Sequence, residues 1–150
     1  MTESQPLHPR RPSPLRPVIF IFIVFAAVFA VVGASKWFAP RELVPWQSDL
    51  PAAQAQAKVS NKPVLAYFTA EWCGPCQEMR RRVFSDRSVA DAAERVIPVR
   101  IDVDKQPALA RQFNIEAMPT FMLLDADGKP LRSETGGMEA AEFVQWLSAK

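Results

Sequence analysis

From Val18 to Ala34 the chain reads VIFIFIVFAAVFAVVGA, seventeen positions without a charged or polar side chain. As a helix rising about 1.5 Å per residue this run covers roughly 25 Å, and about 30 Å when Ser35 to Phe38 are added. Lys36 can snorkel and Trp37 suits the headgroup region, so residues 18–38 are expected to form a transmembrane helix. A core helix would carry a polar stripe, which the run lacks. A cleaved signal peptide has a shorter apolar region, about 7–15 residues, and a small-residue exit. Gly33-Ala34-Ser35 provides such an exit, so removal of the segment stays open. Upstream, residues 1–17 carry five prolines and little apolar material, the composition of a disordered tail. Downstream, Pro40 and Pro45 mark residues 39–48 as a tether.

Residues 49–150 follow shorter periods. Leu50 to Val59, Ala- and Gln-rich behind Ser48 or Asp49 as N-cap, predicts a helix. Val64 to Thr69, an apolar β-prone run after Asn61-Lys62-Pro63, predicts a buried strand. Cys76 to Phe84 holds mostly helix formers, and Asp86 can cap a second helical piece through Ala93. Val96 to Val103 is the second expected strand, and Pro107 opens a helix through Phe113. Thr120 to Leu124 is the third strand, and Asp127-Gly128 turns the chain into Leu131 to Thr135. Gly136-Gly137 breaks the chain before a final amphipathic helix with Phe143, Val144 and Leu147 on one side. The order α-β-α-β-α-β-β-α gives an α/β class with a central mixed sheet flanked by helices. Parallel crossovers are available to the first three strands, and the closing pair is antiparallel.

A length of 150 residues holds one domain with attachments, and 49% apolar content is ample for its core. Eighteen Lys and Arg face sixteen Asp and Glu, a formal charge of +2. Arg10, Arg11 and Arg16 against Glu3 carry all of it, leaving fifteen of each sign from Val18 onward. That balance offers no basic face, so nucleic acid is not an expected partner. The basic leader before the apolar run also sets an expected orientation. The N-terminus stays in the cytoplasm, and the domain faces the periplasm or cell exterior from the inner membrane. The single histidine, His8, lies in the leader, which argues against a Cys–His protease, a Ser–His–Asp hydrolase or a multi-histidine zinc site. Two cysteines alone cannot complete a four-ligand structural zinc site, and no metal is expected.

Those cysteines, Cys73 and Cys76, sit in Trp72-Cys73-Gly74-Pro75-Cys76, after a strand and at the start of a helix. Unpaired amides and the positive dipole end at a helix start favour thiolate over thiol, so Cys73 is the expected nucleophile. Cys76 follows three residues later on the same face, placed to resolve a mixed disulfide. Pro75 costs little in a first turn, Gly74 leaves room for a substrate chain, and Trp72 can shield one side. A static structural disulfide is the bland alternative, but so short a span closes almost no loop and stabilises little. A Cu(I) site lacks a supporting histidine. Met79 and Met118 are packing residues on this reading, and Arg80-Arg81-Arg82 a solvated helix face.

With Ala70-Glu71-Trp72-Cys73-Gly74-Pro75-Cys76 and Met118-Pro119-Thr120 before a later strand, residues from about 60 to 150 resemble thioredoxin. The resemblance implies a thioredoxin-like fold. It also implies that Pro119 is a cis-proline beside the disulfide presenting backbone to substrate, and that Gly136 borders the same groove. Trp72, Gly74, Pro75, Met118, Pro119 and Gly136 are therefore the expected substrate-binding residues. Three departures stand out. Tyr67 replaces a buried aspartate that assists Cys deprotonation in the family, Thr69 a frequent tryptophan, and Arg100 a common strand lysine. The continuation Val83 to Val89 is similar to the periplasmic thioredoxin-like domains of membrane thiol-reductant transporters.

The expected protein is thus a membrane-anchored, extracytoplasmic thiol–disulfide oxidoreductase without a bound cofactor. Its expected partners are protein disulfide substrates and an upstream membrane or periplasmic thiol reductant. The Gly-Pro pair resembles reducing thioredoxins, which implies a reductant serving, for instance, cytochrome c maturation or disulfide repair. The rival classes are a non-catalytic binding module and a Cu(I)-handling protein at the membrane.

Overall fold

The computed structural model describes residues 21–30 and 41–149 and divides the chain into two units, Met1–Ala39 and Pro40–Lys150. In the first unit residues 21–30 form helix α1, with every side chain exposed. The remaining positions of the expected span 18–38 and the expected tail 1–17 lie outside the described residues. Among the described residues no helix is long and apolar enough to cross a membrane.

The second unit is built on a four-stranded sheet in the order β2 (Ile97–Asp102), β1 (Val64–Thr69), β3 (Thr120–Leu124) and β4 (Pro130–Thr135). Strand β1 (Val64–Thr69) is buried along its whole length, and its alternation feeds two cores. Val64, Ala66 and Phe68 pack with Ile97, Val99 and Ile101 of β2 (Ile97–Asp102) against Leu50, Ala53 and Ala57. Those last three line one side of α2 (Leu50–Ser60), which Asp49 caps by accepting from the Ala52 amide. Leu65 and Tyr67 face the other way. They meet Phe121 of β3 (Thr120–Leu124), Val89 of α4 (Arg87–Ala93) and Phe143 of α6 (Ala140–Ser148). Asp86 caps α4 as expected, and α5 (Pro107–Gln112) leads to Phe113, which packs on the first face.

Three boundaries differ from the sequence reading. Parallel crossovers were open to the first three strands, yet only β1 and β2 run parallel; β3 is antiparallel to β1. Helix α5 has six residues, and Asn114 at φ 50 then bends the chain so that β3 enters beside β1 in the opposite sense. Strand β4 (Pro130–Thr135) closes the sheet as the expected antiparallel partner. The helix expected over Cys76 to Phe84 begins earlier, as α3 (Gly74–Glu78), and widens into a π-turn over Met79–Val83. There the Phe84 amide donates to the Met79 carbonyl at 2.9 Å, five residues back. The wider turn lets Met79, Val83 and Phe84 all reach the core.

The third difference concerns the tether. From residue 41 onward the segment expected to be a tether over 39–48 is hydrogen-bonded to the domain. The Leu43 amide donates to Phe84, the Gln47 amide to Pro98, and the Arg100 amide returns to Gln47. Val44 is buried, and Trp46 meets Phe84 edge-on at 4.9 Å and Tyr67 at a tilt at 5.3 Å. Pro45 disguises an edge segment in which Val44 is buried and Trp46 half-buried.

Candidate active site

Strand β1 delivers the chain to the site, and α3 starts there. After Thr69 the backbone turns, with the Cys73 amide donating to the Ala70 carbonyl at 3.2 Å. Cys73 is then the N-cap of α3, in extended geometry, and its Sγ accepts from the Cys76 amide at 3.2 Å. Cys73 and Cys76 form a disulfide, so the structure holds the oxidised state. The same amide is the donor that a thiolate at this position would meet. Both cysteines are buried, Cys73 at 4% and Cys76 at 1% exposure, and the two residues between them, Gly74 and Pro75, are exposed.

The other expected site residues differ in exposure and in what they touch. A Cβ on Gly74 would meet nothing within 4 Å, so this side is open to an approaching chain. Trp72 is 68% exposed, and its indole N–H donates to Asp104 at 2.9 Å, which holds the ring at the rim. The Met118–Pro119 bond is cis, Pro119 is fully buried, and Met118 packs against the core around the cysteines. Gly136, at φ +111 in a region where L side chains are strained, donates its amide to the Pro119 carbonyl at 2.8 Å. Met79 is buried core, as expected.

Behind the dithiol the site departs from the sequence reading. Tyr67 is fully buried, and its hydroxyl donates to the Cys76 carbonyl at 3.4 Å. Burial raises its pKa above the ordinary tyrosine value, against the smaller opposing influence of nearby Thr69, Arg100 and Arg80. It therefore stands neutral near pH 7 as a hydrogen-bond donor and offers no general base. A carboxylate near Tyr67 comes from Glu42, in the segment expected to be tether. Glu42 accepts from Arg80 at 2.7 Å and from Arg100, whose guanidinium lies 5.3 Å from the Trp46 ring. Arg80 is thus not part of a solvated run, while Arg81 and Arg82 are exposed and pair with Glu78. Trp46, Thr69, Glu71, Arg80 and Arg100 line a cleft of about 300 Å³ on this side.

Glu42 and Asp104 escape a sequence reading for the same reason. Their partners lie 38 and 58 positions away for Glu42, and 32 for Asp104, with no local periodicity to announce them.

Residues 50–150 match the family model of a thioredoxin-like domain. The chain belongs to the thioredoxin-like family. A thioredoxin-like protein of Synechocystis is 39% identical over 88 residues, covering 59% of this chain and 81% of that protein. The chain spans about half the length of the chloroplastic thioredoxins Y1 and Y2 of Arabidopsis thaliana that it also matches. The thiol:disulfide interchange protein DsbD of Yersinia enterocolitica is 34% identical over 67% of this chain and 18% of its own length. Among solved structures, a thioredoxin from Thermus thermophilus has a TM-score of 0.61 at 30% identity, covering 69% of this chain and 84% of that one. The reduced C-terminal domain of Neisseria meningitidis DsbD has 0.57 at 27%, covering 65% and 90%. As a thioredoxin-like domain with a Cys73–Cys76 pair, the chain is a thiol–disulfide oxidoreductase.

Proposed function

We propose that this thioredoxin-like domain is a membrane-anchored reductant of protein disulfides outside the cytoplasm. The observation that carries the chemistry is Cys73 Sγ at the start of α3, facing the Cys76 amide, with Cys76 buried one turn behind. The Cys73 thiolate attacks a substrate disulfide, forming a mixed disulfide and releasing the first substrate thiol, which takes up a proton. Cys76 loses its proton and attacks the Cys73 sulfur. The second substrate thiol leaves, and the Cys73–Cys76 disulfide closes. Two electrons pass to the substrate, and a protein dithiol donor returns them. The Pro119 backbone and the Gly136 turn flank the substrate chain during exchange.

Direction is supported by the Gly-Pro pair, and the exchange chemistry by the likeness to DsbD, a named thiol:disulfide interchange protein. Reducing thioredoxins work near about −270 mV, and a strong oxidant of the same fold near about −120 mV. A potential measured on the full chain in glutathione buffers is expected at the reducing end. A value near the oxidising one reverses the assignment. Clients in cytochrome c maturation or disulfide repair fit that direction.

Membrane anchoring rests on the unbroken apolar run and on α1, where Ile21, Phe22, Phe25 and Phe29 are exposed. A C-terminal reporter that works only outside the cytoplasm is expected to be active. A reporter active only in the cytoplasm overturns the orientation. Insulin reduction by the full chain is expected to vanish in Cys73→Ser; equal rates would leave a binding module.

A further inference from the structure

A second groove, of about 230 Å³, starts at Pro75 between the two cysteines and runs to the first turn of α6. Its floor is apolar and sulfur-rich. Met79, Val83 and Met138 are buried, and the Met138 amide donates to Met79 Sδ at 3.3 Å, which ties the Met138 backbone to the Met79 thioether. Its rim carries Glu78, Glu139 and Glu142 against one cation, Arg82. Glu78 is occupied by Arg81 and Arg82 at 2.7 and 3.2 Å. Among the described residues Glu139 and Glu142 pair with no cation.

A structural account covers part of this. Glu142 stands in the first turn of α6, where the helix dipole favours a carboxylate. Glu139 is the N-cap of α6, yet its side chain accepts no helix amide. Its carboxylate therefore contributes negative charge to the rim without serving the helix.

We propose that this groove receives a lysine or arginine side chain of the polypeptide whose disulfide is exchanged, so that the domain prefers basic sequences around its target cysteines. The aliphatic stem covers the Met79, Val83 and Met138 floor while the charged head meets Glu139 and Glu142. The occupant belongs to the reacting polypeptide because Pro75, which lines the groove, is bonded to Cys76 and lies one residue from Gly74 and the open face of Cys73. The inference rests on the oxidoreductase reading.

The test is single-turnover reduction by the fully reduced full-length chain. Two synthetic disulfide peptides differ only in carrying Lys or Glu beside the cysteines. Exposed ion pairs are individually weak, so the Lys peptide is expected to react roughly three- to tenfold faster at low salt. That preference closes in high salt and in Glu139→Gln/Glu142→Gln, and it survives in Glu134→Gln on the exposed β4 strand. Equal rates for both peptides, or a preference that persists in the double variant, overturn the groove while leaving the exchange chemistry standing. A wild-type chain that reduces neither peptide overturns the oxidoreductase reading and the groove with it.

Discussion

Tyr67 faces the resolving cysteine from a strand position where its register partners are Arg100 on one side and Phe121 on the other. Phe121 stacks on it at 5.0 Å with a 10° tilt, and Phe84 meets it edge-on at 5.1 Å. Such packing makes the tyrosinate costly, and burial accordingly raises the pKa. It is the single tyrosine of the chain, so the near-ultraviolet absorbance change of tyrosinate formation reports it alone, the four tryptophans having no such ionisation. Its ionisation is expected above the ordinary value of about 10. The sign for stability follows: above the unfolded value the unfolded chain has lost this proton while the folded one keeps it, so stability falls with rising pH. Tyr67→Phe is expected to remove that alkaline loss and to cost no more than about 1 kcal/mol at pH 7 through the bond to the Cys76 carbonyl. A tyrosine titrating at its ordinary value in the folded chain contradicts both expectations. Glu42 behaves differently because its removal strands two part-buried guanidiniums. Glu42→Gln is expected to lower stability by about 1–3 kcal/mol in urea titration, whereas Arg82→Gln, on an exposed pair, changes it little. Cys73, Gly74, Pro75 and Cys76 were legible in the sequence because their chemistry is local to one helix turn. The Tyr67–Arg100–Glu42 cluster was not, since it is assembled from three distant segments.

At the scale of elements the same division holds. Strand β1 and the Asp86 cap of α4 appear where the sequence predicts them, since an apolar run after a proline turn and an aspartate before a helix are one-dimensional signals. The π-turn over Met79–Val83 has no such signal, because the extra residue per turn is imposed by the core on which Val83 and Phe84 both pack. Residues 41–47 are hidden in another way. Pro45 suppresses the strand reading, while Val44 and Trp46 supply the contacts that dock the segment along β2. This segment is a structural part of the domain. Trp46→Ala is expected to destabilise the chain by about 2–4 kcal/mol, towards the low end for a tryptophan because Trp46 is only half-buried. Denaturant midpoints measure this. A loss below about 0.5 kcal/mol, the usual range for a surface substitution, means the segment is merely laid on the surface.

For the domain as a whole, the redox centre is part of the main core. Cys73 and Cys76 share one apolar cluster with Tyr67, Met79, Phe84, Phe121 and Phe143, so a change in the state of the sulfurs is felt by the fold. Two effects oppose each other. The amide at the start of α3 favours a thiolate on Cys73 and hence the reduced form. The 1% exposure of Cys76 penalises a second thiolate, which limits how far ionisation can stabilise the reduced form. A thermodynamic cycle makes the balance measurable. The potential of the folded pair differs from that of the same pair in the unfolded chain by the difference in stability between the two redox forms. In a strong oxidant of this fold the reduced form is the stabilised one, and the span from about −120 to about −270 mV corresponds to roughly 7 kcal/mol. If the domain is a reductant, the oxidised chain must be the more stable. Paired denaturant titrations of the oxidised and fully reduced full-length chain are therefore expected to give the oxidised form the higher midpoint. In Cys73→Ser, which cannot close the disulfide, the midpoint is expected to ignore added reductant. A reduced form that outlasts the oxidised one places the centre among the oxidants, and with it reverses the direction of electron flow proposed for this protein.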